Sequence, residues 1–266
     1  MTHPAYGVLR PVTDVASVLL CNNPGIMTLD GTNTWVVRGP GSDEMVVVDP
    51  GPDDDEHIAR LAGLGTISLV LISHKHDDHT GGIDKIRDAT GATVRSVGSG
   101  FLRGLGGPLT DGEVIDAAGV RITVMATPGH TADSLSFILE DGRGERSDGR
   151  RAVLTGDTVL GRGTTVIDDE DGSLADYLES LRRLQALGRL RVLPGHGPEL
   201  DDIAAVTTMY LAHREERLDQ VRAALRTLGA DATAREVVEH VYTDVDEKLW
   251  DAAEKSVRAQ LDYLRT

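Results

Sequence analysis

His74, His76, Asp78 and His79 fall within six residues of one another, directly after the apolar run from Ile67 to Ile72. Imidazole and carboxylate donors at this density suit zinc or another borderline divalent metal. The apolar run has the length and composition of a buried strand. In a loop leaving such a strand, His74 and His76 can point the same way, because alternate residues of an extended chain share a face. Asp78 and His79 then turn toward a second position, so one loop can serve two metals. A surface histidine cluster would have the same composition, but three later segments each supply a further ligand. Val120 to His130, Ala152 to Asp157 and Leu190 to His196 are short apolar runs that stop at a Gly or Pro-Gly corner and present one His or Asp. Glycine at such a corner lets the backbone turn sharply and approach closely.

Seven candidate ligands result: His74, His76, Asp78, His79, His130, Asp157 and His196. A tetrahedral zinc takes four. Seven, with one carboxylate shared, is what two metals need if each keeps room for water. Two metals roughly 3.5–4 Å apart clamp the attacking and leaving oxygens of a displacement, and coordination brings the pKa of water to about 7. The ligand set therefore points to hydrolysis by a metal-bound hydroxide. Zinc is the expected metal, and manganese or iron suits the same donors. The remaining histidines (His3, His57, His213 and His240) lie in the terminus or in polar helical stretches and are expected to be solvated.

The pattern HxHxDH, followed by isolated His, Asp and His, resembles the signature of the metallo-beta-lactamase superfamily over nearly the whole chain. By that resemblance His74, His76 and His130 would bind one metal, Asp78, His79 and His196 the other, and Asp157 would bridge. Asp49, in Val-Val-Val-Asp-Pro-Gly, matches the family's upstream aspartate and would orient a ligand or the loop rather than bind metal. The resemblance implies an α/β fold, the four-layer αββα sandwich; periodicity alone gives only mixed α/β.

The elements that must position these ligands are legible in outline. Thr34–Val37 and Met45–Val48 flank a Gly-Pro-Gly turn, as in a hairpin. Ile58, Leu61 and Leu64 form a helical stripe. Helix and strand are then expected to alternate through His130. Ser134–Leu139 and Ala152–Leu154 are expected to pair across a polar, Gly-rich, mobile loop (141–150). Ser173 can cap a helix with Leu174, Tyr177, Leu178, Leu181 and Leu184 on its core face. Residues 1–199 make up the expected hydrolase domain. Residues 200–266 carry little strand signal and form a second, helical domain: a long helix or helix pair ending at Gly229, a capping box at Thr233 and Glu236, and a last helix over Lys248–Leu264. This tail resembles a winged-helix unit without an obvious wing. Residues 201–266 carry nine Lys and Arg against fourteen Asp and Glu. A DNA reader should be basic, so a structural or substrate-lip role is favoured over DNA binding.

Composition is globular, with 40% hydrophobic and 26% charged residues among 266. No run approaches the ~18 apolar residues of a membrane span, and the amino terminus lacks the features of a signal peptide. A lone cysteine, Cys21, allows no internal disulfide and fits a core position in a cytoplasmic protein. A net charge of −16 argues against broad nucleic-acid binding.

Fold does not fix substrate. Aspartate at position 157, where the commonest dinuclear lactamases carry cysteine, favours the thioesterase, phosphodiesterase and nuclease branches. The 38 residues between Asp157 and His196 leave no room for the large inserted domain of one nuclease branch. The segments NPGIMTLDGTNTWVV (23–37), PGHTADSLSF (128–137) and LTGDTVLG (154–161) resemble the beta-lactamase-like protein 2 group, which implies endoribonuclease activity on single-stranded RNA. Glyoxalase II-type thioesterases have similar motifs, and thioester or ester hydrolysis is the alternative. A non-catalytic metal-binding protein is a third reading, disfavoured by the complete ligand set. For RNA, Arg162 would contact a phosphate, Thr131 and Ser134 would donate to substrate, and Phe101 in a Gly-rich lip would stack a base. For a thioester, Arg214 and Arg217 would form a basic clamp.

Overall fold

The run Met45–Val48 shows no polar alternation because both of its faces are covered. Val46 and Val48 enter one apolar core and Met45 and Val47 another, as expected of a strand paired in parallel inside a layered sandwich. The computed structural model describes residues 5–140, 152–167, 171–243 and 246–265. Its first sheet runs in sequence order: β1 (Leu9–Pro11), β2 (Ala16–Leu20), β3 (Asn33–Val37), β4 (Glu44–Val48), β5 (Thr66–Leu71) and β6 (Thr93–Arg95). β3 and β4 form the expected hairpin, and β4–β5 and β5–β6 are parallel. The second sheet comprises β7 (Val114–Ala117), β8 (Val120–Ala126), β9 (Leu135–Glu140), β10 (Ala152–Gly156) and β11 (Arg191–Pro194), in the order β11-β10-β9-β8-β7.

Three apolar cores separate four layers. α1 (Asp55–Ala62) and α3 (Ile83–Thr90) cover the outer face of the first sheet through Ile58, Leu61, Ile83 and Ile86. Trp35, Val37, Phe137, Leu139 and Leu154 meet between the sheets. α4 (Leu174–Gln185), capped by Ser173, and the first half of α5 (Ile203–Leu228) cover the second sheet. The αββα sandwich is thus present. Alternation of helix and strand does not continue through His130. After β6 the chain makes the antiparallel β7–β8 hairpin, because Gly119 supplies the left-handed turn residue there.

The tail is one 26-residue helix, α5, followed by α6 (Ala234–Val241) with its capping box and α7 (Trp250–Arg265). The far half of α5 joins α6 and α7 in a core of its own around Val221, Val237, Val238 and Val257. No helix among the described residues is long and apolar enough to cross a membrane. The expected 141–150 loop and His3 lie outside the described residues. Cys21 is a free, buried thiol, as expected, pushed up to about 12 by burial.

His57 departs from its expected solvation. It is 4% exposed, with Nε2 2.8 Å from Thr34 Oγ1. Burial lowers its pKa to about 4 despite the opposing charge of Asp54. An unfolded chain would protonate this imidazole near 6.5, so the unfolded state binds the proton first. The stability His57 contributes is therefore complete above about pH 6.5 and is lost as the pH falls toward 4. Comparing urea midpoints at pH 7 and 4.5, His57→Gln should lose about 2 kcal/mol less stability than the parent over that interval. Equal losses in the two proteins would show that His57 is not the responsible group.

Candidate metal centre

Every candidate ligand sits just past the carboxyl end of a strand, at one end of the sandwich. β5 leads to Ser73, His74 and His76, and the short helix α2 (Asp77–Thr80) follows with Asp78 and His79. β8, β10 and β11 lead to His130, Asp157 and His196. The two sheets are latched together here. Asn33 N donates to the Gly195 carbonyl (2.8 Å), Trp35 Nε1 to the Pro194 carbonyl (3.0 Å) and Leu135 N to the Ser73 carbonyl (2.8 Å).

The side chains converge in three overlapping groups, His74/His76/His130, His74/His79/Asp157 and Asp78/His79/His196, each with its ligand atoms within 4.8 Å of one another. His74 Nε2 and His130 Nε2 approach His76 Nδ1 at 3.0 and 3.1 Å. His196 Nε2 lies 3.2 Å from His79 Nε2, 3.1 Å from Asp78 Oδ2 and 3.3 Å from Asp157 Oδ2.

Partners behind the rings determine which nitrogens carry protons. His130 Nδ1 donates to the Val166 carbonyl (2.6 Å), His196 Nδ1 to the Gly31 carbonyl (3.1 Å) and His79 Nδ1 to Asp49 Oδ2 (2.9 Å). Asp49 also accepts from Ser73 N and Ser73 Oγ, both at 2.7 Å. Ser73 Oγ is thereby left to accept from His74 Nδ1 at 2.9 Å. Each of these four rings turns an Nε2 lone pair inward, the arrangement a metal requires of imidazole.

Charge is distributed to match. Burial opposes ionisation of Asp157, but His196 and His79 outweigh it and hold the carboxyl well below the usual carboxylate range. Asp78 is likewise held low, against burial, chiefly by His79 and His196. Burial would lower His196, yet Asp157 and Asp78 raise it to about 9; His79 is also raised, against burial, by Asp157, Asp49 and Asp78. Burial, helped by neighbouring rings, lowers His74 and His130. A divalent cation would take the place of the protons drawn to His79 and His196.

Two further features fit metal. Asp157 Oδ1 is buried without a hydrogen-bond partner among the described residues, which is costly unless a cation satisfies it. A Cβ on Gly195 would lie 2.4 Å from that same oxygen and 2.9 Å from His79 Cε1. Glycine at 195 keeps open the space around the Asp157 carboxylate.

The other expected contacts fare differently. Thr131 and Ser134 are buried, 2.7 Å apart through their hydroxyls, with Thr131 Oγ1 donating to Asp133 Oδ1 (2.8 Å). They close the turn after His130 instead of facing substrate. Arg162 is half exposed but paired with Asp30, Nη2 to Oδ1 at 3.0 Å. Arg214 is buried at 3% exposure, donating to the Thr165 carbonyl, and Arg217 stacks over Tyr242 at 4.8 Å. Arg214 is occupied by the loop after Asp157 and by Tyr177, and Arg217 within the helical tail, so neither forms a clamp. Phe101 packs against the core under the first sheet. The loop joining β2 and β3 was missed as part of the site. It carries exposed Ile26 and Met27, and its base is fastened to two candidate ligands by Thr32 Oγ1 to Asp78 Oδ2 (3.4 Å) and by the Gly31 carbonyl to His196. Its sequence signal was the apolar pair beside Gly25, within the segment 23–37 singled out above for its resemblance.

The αββα sandwich carries, at its strand ends, a pocket lined by His and Asp groups that could hold metal. Residues 27–196 match the metallo-beta-lactamase superfamily and residues 233–266 the beta-lactamase associated winged helix domain. The chain belongs to the metallo-beta-lactamase superfamily. A beta-lactamase-like protein 2 homolog of Caenorhabditis elegans is 32% identical, over 89% of this chain and 79% of the relative. An atrochrysone carboxyl ACP thioesterase of Aspergillus fumigatus is also 32% identical, over 87% of this chain and 76% of the relative. The crystal structure of a beta-lactamase domain protein from Burkholderia ambifaria shares the fold, with a TM-score of 0.79 and 20% identity over 99% of this chain and 89% of that one.

Proposed function

We propose that the chain is a dinuclear, zinc-dependent thioester hydrolase. His74, His76 and His130 would hold one cation, Asp78, His79 and His196 the other, with Asp157 shared between them. When bound, the two cations would supply a Lewis acid and water activated at neutral pH. The chain's own residues do the rest: Asp49 and the Val166 and Gly31 carbonyls hold the ligand rings in register, and Asp78 and Asp157 supply the negative charge that retains the cations.

The observation that carries the thioester reading is the apolar tip Ile26–Met27, 65% and 52% exposed, on the loop fastened to Asp78 and His196. An acyl chain would cover such a tip; a polyanion would gain nothing from it. The cations nearest the ligands in sequence are engaged, Lys75 with Asp171 at 3.0 Å and Arg162 with Asp30. The resemblance to a named thioesterase supports the same choice. Cleavage of single-stranded RNA is the second reading, favoured by the winged-helix match at 233–266, and it uses the same metal pocket.

A side-by-side assay separates them. Zinc-loaded protein is offered a panel of acyl thioesters of increasing chain length and a fluorescent single-stranded RNA, with Asp78→Ala as the blank. The expected result is thioester turnover that rises with chain length, falls with Ile26→Ser/Met27→Ser, and is absent from the blank. RNA cleavage that disappears in the blank, with the thioesters intact, would replace this reading with the nuclease one.

A further inference from the structure

The loop after Asp157 returns to the metal pocket, because the Val166 carbonyl accepts from His130 Nδ1. Helices, not the sheet that launches it, determine its course. Tyr177 of α4 donates its hydroxyl to the Thr158 carbonyl at 2.8 Å. Tyr210 of α5 donates to the Gly163 carbonyl (2.8 Å) and accepts from Leu160 N (3.2 Å). One turn further along α5, the Arg214 guanidinium donates to the Thr165 carbonyl and lies 5.0 Å over the Tyr177 ring. Thr165 in turn donates its hydroxyl to the Asp157 carbonyl at 2.7 Å. The peptide that Arg214 grips is therefore the one immediately before the carbonyl that holds His130, and its side chain braces the shared aspartate.

We propose that Arg214 is a positioning residue of the metal pocket: it clamps Thr165 so that the Val166 carbonyl keeps His130 protonated on Nδ1 and presents Nε2 toward His74 and His76. The helical tail is then part of the site and not an appendage to it. A guanidinium suits this task because several donors in a rigid plane can grip a carbonyl while the flat face lies on an aromatic ring. The inference rests on the metal-pocket reading above.

The test uses full-length protein and zinc alone. Zinc dissociation constants are measured by competition with a chromophoric chelator for the parent, Arg214→Met, Arg214→Lys and Arg217→Met. Arg217 is the control: it lies on the same helix, over Tyr242 and bonded to Gln220 at 2.8 Å, away from the loop. Loss of a group that orients a metal ligand typically weakens binding 10–100-fold. Arg214→Met should weaken one of the two zinc sites by about 10-fold, Arg214→Lys by less, and Arg217→Met not at all. Nitrogen NMR of the His130 ring should show the Nδ1–H form depleted in Arg214→Met, less so in Arg214→Lys, and unchanged in Arg217→Met. Arg214→Lys, which keeps the charge but loses the planar fork, provides the reading should Arg214→Met fail to fold. Zinc affinity and His130 tautomer equal to the parent's in the folded variants would overturn the proposal while leaving the metal pocket intact. A parent that takes up no zinc would overturn both.

Discussion

Replacing Asp157 by Asn should reduce bound metal from about two ions per chain to about one and lower hydrolytic activity by more than about 100-fold. That exceeds what loss of a merely orienting group costs, since Asp157 touches both halves of the pocket. Its Oδ2 lies 3.3 Å from His196 Nε2 and 3.9 Å from His130 Nε2, and its Oδ1 lies 3.5 Å from His79 Nε2. Asparagine has nearly the same shape, so it still fits beneath Gly195 and packing is unchanged. What disappears is the negative charge and one of two oxygens that accept without donating. Elemental analysis and turnover on one preparation check the result; two tightly held metals in the variant would show that Asp157 is not shared.

The second large effect is expected at Asp49. This residue is 2% exposed and has a φ of 55°, a left-handed conformation that Asp and Asn tolerate better than most residues. Asp49→Asn therefore leaves the backbone unstrained and tests the carboxylate alone. Asp49 accepts three hydrogen bonds, one at Oδ1 and two at Oδ2. An amide has one oxygen, so its NH2 must face either the Ser73 N–H or the Ser73 hydroxyl and His79 Nδ1. The second arrangement drives His79 into the other tautomer, with a proton on the nitrogen that should face metal. It also releases the Ser73 hydroxyl that holds His74. Metal affinity should fall 10–100-fold, with a loss of about 1–3 kcal/mol in stability for a buried donor left unpaired. Zinc competition and urea unfolding measure the two; a variant with the parent's zinc affinity would mean that the rings hold their tautomers without Asp49.

Much of the pocket was legible because its ligands are types that few other roles demand, at corners where strands must end. Seven residues in four segments, each after an apolar run, needed no knowledge of contacts. The hairpin β3–β4, the Ser173 cap and the Thr233–Glu236 capping box were legible for the same reason, since local bonding and period leave a local trace. The αββα layering came from resemblance, because a run buried on both faces has the same composition whichever layers cover it.

The residues misread were those whose environment is supplied from far along the chain. His57 looks solvated on its amphipathic helix until Thr34 is placed beside its Nε2. Arg162 looks like a phosphate contact until Asp30, 132 positions away, takes its guanidinium. Arg214 looks like a solvated or substrate-binding cation until the folding of α5 against the second sheet buries it beneath the 158–167 loop. By itself the sequence determined the ligand chemistry, the strand ends that present it and the helical nature of the tail, because these depend on residue type and on spacing along the chain. Tertiary structure alone decided which ring nitrogen faces inward, which arginines are already occupied and which loop is fastened to the candidate ligands, because each depends on a partner brought close only when the two sheets pack.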